Sequence, residues 1–278
     1  MSSRSSLLLQ FGSLNCNSLV TSNNPLKQSH FIRYLRSLQF DILAFQKTHA
    51  FLSIIPVINT QFQAHQSLWT SYQFSSDLLP NDDRVILTKD TNSHNLFPPF
   101  FILVVYAPAS FDRERKTFFN HLLDPLHLPS LDVDFERLFI AGGFNYSYLR
   151  SNLFSFNSER WTSFLDENFT NILQAFDLHE LPIFCHNASA SSTIDYIFAG
   201  RSLHQSVVAA SLQMVNPAWS DHSLLTLKCS LGTSTTSLGL WRAHLRLLHM
   251  TSFQDCLLHH LPFILKNACA SECSPQGQ

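Results

Sequence analysis

The feature that most constrains the fold is an alternation of strand-like and helix-like patterns that starts close to the first residue. Residues 7–14 form an apolar run typical of a β-strand. After a turn-rich stretch that ends near Lys27, Ser29 is placed to cap a helix with apolar residues three to four positions apart. Residues 41–46 are nearly all apolar, which predicts a strand at the centre of its sheet. A strand-helix-strand beginning predicts α/β architecture.

The alternation continues to about residue 229. The patterns predict further strands at residues 84–89, 100–106, 137–141, 194–198, 206–212 and 224–229, and helices at 111–123 and 158–167. Residues 57–83 carry no clear pattern, although we expect Trp69 in a core and a turn at residues 80–83.

A composition break divides the chain. Residues 230–238 are rich in Ser and Thr without charge or periodicity, which predicts a linker between a domain at 1–229 and a tail at 239–278. The tail has a helical apolar pattern at residues 241–265 that is too short to form its own core. The formal net charge is −2 and charged residues make up 14% of the chain, so no overall positive field attracts nucleic acid. Any contact with DNA is therefore expected to be local.

The cysteines and the apolar runs indicate the compartment. The six cysteines show no paired metal-ligand spacing, which predicts reduced thiols, an intracellular protein and no disulfide-linked partner. Residues 7–11 are too short for a signal peptide, and residues 100–106 fall far below the ~20 residues of a membrane span. We expect a nuclear or cytoplasmic protein without membrane contact, and the oligomeric state stays open.

Polar residues follow the apolar runs at five places, where strand ends would meet at one rim of a sheet core. They are Leu14-Asn15, Tyr106-Ala107-Pro108, Gly142-Gly143-Phe144-Asn145, Ile194-Asp195-Tyr196 and Ser220-Asp221-His222. An acid beside an imidazole at the start of a strand can bind a metal or water and move a proton. Each motif alone also fits a polar turn next to a strand.

Together these motifs resemble the endonuclease/exonuclease/phosphatase superfamily, and most closely the endonuclease domain of LINE-type retrotransposons, relatives of apurinic endonucleases. The matching pieces run in family order from Leu14 to Leu227. Residues 239–243 are similar to the start of the segment that follows the nuclease in such polyproteins. The reverse transcriptase expected after it is absent, so the chain resembles a truncated element.

The resemblance implies a four-layer α/β sandwich with two packed mixed sheets, flanking helices and an active site on loops at one rim. It also implies hydrolysis of a DNA phosphodiester by water with Mg²⁺ or Mn²⁺. By motif match, His222 would contact the scissile phosphate and Asp195 would fix its tautomer. Asn145 would orient the phosphate or the water, and Tyr106 would support the leaving side.

The metal-binding part of the pattern is altered at two positions. By motif match, Asn15 and Asp221 would help to hold the ion or its waters. In the family motif Gln-Glu-Thr-His the Glu is the principal metal ligand, and this sequence has Lys47 at that position. In the family motif Gly-Asp-Phe-Asn the Asp activates water or protonates the leaving group, and this sequence has Gly143 at that position. Each change removes a carboxylate, and Lys47 also adds a positive charge.

Three hypotheses follow from these changes. The first is a retrotransposon-derived endonuclease domain whose activity is lost or strongly impaired, a pseudoenzyme. The second is an active endonuclease with substituted metal ligands. The third is a non-catalytic module that binds DNA or phosphate, in which Lys47 lies against the phosphate, since lysine is a good point-charge phosphate binder.

Overall fold

The computed structural model describes most of the chain up to Ser234 and a few residues beyond it. The described residues are 5–20, 25–50, 53–62, 84–91, 97–125, 127–128, 131–148, 157–179, 183–186, 190–234, 251, 254–255 and 258–260. The chain divides into two compact units, one at Arg4–Ser234 and a second made of Met1–Ser3 and Thr235–Gln278. In the second unit, the rings of His259 and His260 lie 5.1 Å apart. The predicted positions of Trp69, of the turn at 80–83 and of most of the helical tail lie outside the described residues.

The described strands form two mixed sheets and a hairpin. They are β1 Ser5–Asn15, β2 Ile42–Gln46, β3 Val85–Asp90, β4 Phe100–Tyr106, β5 Leu138–Gly143, β6 Phe169–Asn171, β7 Phe184–His186, β8 Ala190–Ser192, β9 Asp195–Gly200, β10 Val207–Gln213 and β11 Leu224–Ser234. The first sheet has the order β10-β11-β1-β2, the second has the order β3-β4-β5-β9-β6, and β7 pairs with β8. In each sheet one pair is parallel, β1 with β2 and β4 with β5, and the other pairs are antiparallel.

The described helices lie between these strands in the chain. They are α1 Pro25–Ser37, α2 Ile55–Phe62, α3 Asp112–Leu122, α4 Glu159–Asn168, α5 Ile172–Ala175 and α6 Arg201–His204, with a 3₁₀ turn at Phe135–Arg137. Helix α4 begins as predicted, because the Ser158 hydroxyl accepts a hydrogen bond from the backbone N–H of Trp161 and caps the first turn. None of the described helices is long and apolar enough to cross a bilayer.

Apolar side chains from both sheets meet in one core. The rings of Phe11 on β1 and Phe139 on β5 lie 5.8 Å apart across the interface between the sheets. Burying a side chain as large as Phe contributes roughly 1.5–3 kcal/mol, so the two sheets are held together by many such contacts. The phenylalanines thus contribute to a continuous cluster of 38 buried side chains, which extends from the sheet interface to the helices that cover the second sheet.

Helices cover the outer face of each sheet. Phe31, Ile32 and Leu35 of α1 form a second apolar cluster with the rim end of β1, and the Phe62 ring of α2 lies 5.6 Å from Phe45 of β2. On the other sheet, Phe119 of α3 stacks on Trp161 of α4 with ring centroids 4.7 Å apart. The layers are helix, sheet, sheet and helix, so the four-layer α/β sandwich is confirmed.

Three sequence predictions differ from the structure. Helix α1 begins at Pro25, four residues before the predicted cap at Ser29, because the first turn of a helix tolerates a residue without an N–H. Among the described strands, β2 lies at the end of its sheet and not at its centre. Strand β11 continues to Ser234, into the predicted linker, because its last residues pair with Ser5 and Ser6 of β1.

Candidate functional site

The ends of several strands meet at one rim of each sheet. In the first sheet β1 and β2 are parallel and end together, so Asn15 lies opposite Gln46 and Lys47 follows directly. In the second sheet β4 and β5 end together with Tyr106 opposite Gly143. Strand β9 runs antiparallel to β5 and therefore starts at the same rim, with Asp195 opposite Gly143. The topology thus explains why residues far apart in sequence share an edge.

A histidine and a carboxylate join the rims of the two sheets. Nδ1 of His222, which precedes β11 of the first sheet, shares a hydrogen bond with Oδ2 of Asp195, the first residue of β9 in the second sheet. Both side chains are buried, with 6% and 3% of their surface exposed. An ionised carboxylate accepts hydrogen bonds only, so the proton of neutral His222 lies on Nδ1 and Nε2 is left as an acceptor.

The loop before β11 is fixed by hydrogen bonds to neighbouring strands. The hydroxyl of Ser220 donates to the carbonyl oxygen of Asn15 at 2.7 Å and accepts from the backbone N–H of His222 at 3.0 Å. The backbone N–H of Ser223 donates to the carbonyl oxygen of Ile183 at 2.7 Å. The imidazole of His222 also packs against the Phe184 ring, with centroids 4.9 Å apart. The His222 ring is therefore held in one orientation.

A second carboxylate lies on the other side of this imidazole. Oδ1 of Asp221 is 3.8 Å from Nε2 of His222, and the Asp221 side chain is partly exposed. A carboxylate therefore lies near each ring nitrogen of His222, Asp195 at Nδ1 and Asp221 at Nε2.

The Tyr106 side chain is close enough to Asp195 to be affected by its charge. Burial raises the pKa of the Tyr106 phenol, the negative charge of Asp195 raises it further, and Arg84 lowers it. The backbone beyond Tyr106 is tied to β5, because the N–H of Ala107 donates to the carbonyl oxygen of Gly143 at 2.8 Å. The phenol stays protonated at neutral pH and can donate a hydrogen bond to an anion.

Asn145 sits in a strained backbone position that several contacts hold. Its φ is 55°, a left-handed value that Asn tolerates better than most residues. Its side-chain Nδ2 donates to the carbonyl oxygen of Ala107 at 2.5 Å, and its own carbonyl oxygen accepts from Nη1 of Arg115 at 2.5 Å. With Nδ2 engaged, the side-chain oxygen remains to meet a donor such as a water molecule.

Gly143 lies between two of these side chains. A Cβ added at this position would lie 3.0 Å from Oδ1 of Asp195 and 3.2 Å from Cδ2 of Tyr106. Any side chain at residue 143 would therefore point toward Asp195 and Tyr106. Gly143 itself places no carboxylate beside these two side chains.

The donors at this rim do not fit a Mg²⁺ or Mn²⁺ ion. Such ions prefer several oxygen ligands, with carboxylates among them. Among the described rim residues, the amide oxygen of Asn15 accepts from the backbone N–H of Asn17 at 3.3 Å, and Oδ2 of Asp195 is engaged by His222, whereas its Oδ1 is buried. Lys47, which carries an ammonium group, directly follows the last residue of β2. Of these described rim residues, only Asp221 offers a partly exposed carboxylate.

The sequence did not indicate two features of this region. Arg115 is a buried arginine on α3, with 4% of the residue exposed, and it also donates to the carbonyl oxygen of Pro108 at 3.4 Å and pairs with Asp112. Beside Pro108 an open groove of about 660 Å³ is lined by Arg84 and Arg113, among others. Both features depend on contacts between segments, so neither produces a local sequence signal.

This chain is similar to known proteins in its structure and not in its sequence. No family model matches the sequence, and no curated protein matches it. Three solved structures match over nearly their whole length, and their sequence identities of 10–17% establish a shared fold.

An apurinic endonuclease from Archaeoglobus fulgidus superposes with a TM-score of 0.60 and 17% identity, over 79% of this chain and 98% of that chain. The endonuclease domain of TRAS1, a telomere-specific non-LTR retrotransposon, gives a TM-score of 0.57 and 10% identity, over 81% of this chain and 99% of that chain. A 3′ phosphatase from Neisseria, bound to a product DNA hairpin, gives a TM-score of 0.52 and 16% identity, over 79% of this chain and 98% of that chain.

Proposed function

We propose that this chain, which has the fold of the endonuclease/exonuclease/phosphatase superfamily, is an endonuclease domain of LINE-type retrotransposon origin that binds a DNA phosphodiester but has lost most of its cleavage activity. The observation that carries the proposal is the buried pair of His222 and Asp195, which joins the rims of both sheets. The fold shared with a retrotransposon endonuclease and an apurinic endonuclease supports it.

The rim residues supply donors suited to a phosphate. Oδ2 of Asp195 accepts a hydrogen bond from Nδ1 of His222, which leaves Nε2 as the ring nitrogen that can face a phosphate or a water molecule. The protonated phenol of Tyr106 is a donor. The side-chain oxygen of Asn145 can accept a hydrogen bond from a water molecule and orient it. These groups bind and position a phosphodiester, and Gly143 adds no carboxylate to assist them.

The two missing carboxylates explain the expected loss of cleavage. A general acid or base typically contributes about 10²- to 10⁴-fold in rate, and Gly143 supplies none. The ammonium of Lys47 would repel a cation. The interaction energy of two unit charges 4 Å apart is about 4 kcal/mol at an effective dielectric of 20. The ion that related enzymes use would neutralise the phosphate oxygens and the leaving oxygen, and the residues of this rim do not fit it.

A plasmid-nicking assay tests this proposal. We expect the purified protein to leave supercoiled plasmid intact in Mg²⁺ or Mn²⁺, whereas the double variant Lys47→Glu with Gly143→Asp nicks it measurably. Adding His222→Ala to the double variant should abolish the restored nicking. Strong nicking by the unaltered chain that His222→Ala removes would contradict the proposal and would favour an active endonuclease with substituted ligands.

The groove beside Pro108, which is lined by two arginines and one acidic residue, Glu114, favours a second candidate, a non-catalytic module that binds DNA through its phosphates. Arg84 and Arg113 line the groove next to Pro108, which lies two residues after Tyr106 at the rim. Lys47 would add a charge at the same rim, where a lysine can take the place of a metal ion against a phosphate. Local basic residues would thus compensate for the overall charge of −2.

A metal-free gel-shift series tests this second candidate. We expect Lys47→Ala to weaken binding to duplex DNA several-fold and to reduce the dependence of log K on log salt by about one. Lys228→Ala, which removes an exposed lysine within β11, is the matched control and should bind like the unaltered chain. Equal binding by all three proteins, or none in the absence of metal, would argue against a phosphate-binding role for Lys47.

A further inference from the structure

Three metal-ligating side chains lie together at the C-terminal end of α3. Atoms of His121, Asp124 and His127 that can ligate a metal are all within 4.8 Å of one another. The imidazole rings of His121 and His127 have centroids 4.0 Å apart. His121 is exposed and the other two residues are partly buried, so a solvated ion can reach the group.

The backbone around this group is already folded into the required shape. The N–H of Asp124 donates to the carbonyl oxygen of His121 at 3.0 Å, and the N–H of His127 donates to that of Asp124 at 2.9 Å. The buried side chains of Leu123 and Leu128 anchor the turn at both ends. Binding would therefore order few additional dihedral angles, which lowers its entropic cost.

An arginine from α4 orients the carboxylate of the group. Nη1 of Arg160 is 3.7 Å from Oδ1 of Asp124, and Nη2 of the same guanidinium donates to the carbonyl oxygen of Leu123. Both members of this ion pair are about half exposed, and an exposed pair holds its partners weakly, so a cation can compete for the carboxylate. Groups that contact a ligand from outside in this way commonly set its orientation.

The ligand types select the kind of ion. Two imidazoles and one carboxylate suit Zn²⁺ and similar first-row divalent ions, whereas Mg²⁺ and Ca²⁺ prefer oxygen ligands throughout. Ligand atoms in a tetrahedral zinc site are about 3.4 Å apart, given bonds of about 2.0–2.1 Å. The present separations reach 4.8 Å, so side-chain rotations that shorten them by up to about 1.4 Å would close the group around an ion.

We propose that His121, Asp124 and His127 form a binding site for Zn²⁺ or a similar transition-metal ion, with water in the remaining coordination position. The site differs from the His222–Asp195 pair at the rim: Arg115, which contacts the carbonyl oxygen of Asn145, lies six residues before His121 on α3, about 9 Å along the helix axis. His121 also lines the groove beside Pro108. A bound ion would tie the end of α3 to the turn that follows it, since His121 belongs to α3 and Asp124 and His127 come after its last residue.

Calorimetric titration of the full chain with Zn²⁺ alone tests the site. We expect binding that Asp124→Asn, His121→Ala and His127→Gln each weaken by more than about tenfold, since a three-ligand site loses a third of its donors. His204→Ala removes a histidine of α6 outside the group and should leave binding unchanged. Circular dichroism confirms that each variant is folded, and the exposed position of His121 makes its substitution the least disruptive.

Titration with Co²⁺ separates this site from the cysteines of the chain. We expect visible absorption bands typical of nitrogen and oxygen ligands, without the near-ultraviolet charge-transfer band of a thiolate ligand, and we expect Asp124→Asn to reduce them. Lack of Zn²⁺ binding by the unaltered chain, or equal binding by all variants, would overturn the proposal. Neither result depends on DNA binding or nicking, so this site and the proposed function fail or stand separately.

Discussion

Gly142 and Gly143 are adjacent, yet their surroundings differ sharply. Gly142 has a φ of 135°, and a Cβ there would lie 2.0 Å from the carbonyl oxygen of Val105 on the paired strand. Only glycine fits such an approach. Gly143 has no positive φ, and a Cβ there would meet only the side chains of Asp195 and Tyr106, at 3.0 Å and 3.2 Å. The first glycine is required by the backbone, and the second can be replaced.

Substitution of these two glycines by alanine should give very different stabilities. We expect Gly142→Ala to lower the free energy of unfolding by about 3 kcal/mol or more, because it adds both a clash and backbone strain. We expect Gly143→Ala, its matched control, to cost less than about 1.5 kcal/mol. Urea denaturation measures both values, and equal effects would contradict the geometry described for Val105.

The buried pair of His222 and Asp195 should behave as a unit. Removing one partner of a buried pair typically costs about 3–5 kcal/mol, because the other is left without compensation. We expect His222→Ala and Asp195→Ala each to destabilise the fold, and the double variant to be clearly more stable than the sum of the single effects predicts. Additive losses in a double-mutant cycle by chemical denaturation would show that the two side chains are not coupled.

Two buried thiols should make the fold sensitive to alkali. Burial raises the pKa of Cys16, and it raises that of Cys229 from 9.0 to about 12, with a smaller opposing effect of a hydrogen bond to Ser206. A folded-state pKa above the unfolded value contributes stability that is complete below pH 9 and is lost as pH rises from there through the folded value.

We therefore expect the free energy of unfolding to fall less steeply with pH between 9 and 12 in Cys229→Ala than in the unaltered chain. One titrating group accounts for at most about 1.4 kcal/mol per pH unit. Denaturation series at several pH values measure the slopes. Parallel slopes for the two proteins would indicate that the Cys229 thiolate forms as readily in the folded chain as in the unfolded one.

The sequence indicated some rim residues better than others. Asp195 and His222 follow or precede apolar runs, and their order along the chain matched a family pattern, so their proximity was predicted. Arg115 was not singled out, because it belongs to the charged run Asp112–Lys116, in which a buried arginine resembles its exposed neighbours. What distinguishes it is a hydrogen bond to Asn145, thirty residues away in sequence.

At the level of elements, apolar patterns predicted where strands lie better than their order in a sheet. Strand β2 reads as a central strand because most of its side chains are apolar, but it lies at the end of the described sheet. Its Phe45 packs against α2 and its Ala44 belongs to the core between the sheets. An apolar run indicates that both faces of the sheet are covered at that strand, but it does not indicate whether a further strand pairs with it on each side.

Short elements escaped prediction for a related reason. Strand β6 has three residues, and β7 and β8 have three each, so no periodicity can develop within them. Their positions follow from pairing with a partner, as for Phe169 opposite Gly200. The backbone bridge between Phe184 and His222 ties β7 to the candidate site, a contact that only the folded chain reveals.

At the scale of the whole molecule, the position where the sandwich ends can be tested by truncation. The last residues of β11 pair with the start of β1, with Ser230 opposite Leu8 and Ser234 opposite Ser5, and Leu231 is buried. We expect a chain that stops after Ser234 to keep the melting temperature of the full chain. A chain that stops after Cys229 should melt several degrees lower, because it loses these pairs and a buried leucine.

Thermal denaturation of the three chains followed by circular dichroism gives the comparison. Equal melting temperatures for the two truncated chains would place the boundary at the predicted residue 229 and would make the last residues of β11 dispensable. A loss of folding in the longer truncated chain would instead show that the second unit supports the first.

The hydrogen bond between His222 and Asp195 also provides a spectroscopic signal for assembly. A proton on a buried ring nitrogen exchanges slowly with solvent, so it gives a resolved resonance at low field in a proton NMR spectrum, where an exposed imidazole gives none. Since each partner belongs to a different sheet, this resonance requires both sheets to be formed and correctly docked. The time at which this resonance appears during refolding would therefore show when the two sheets come together.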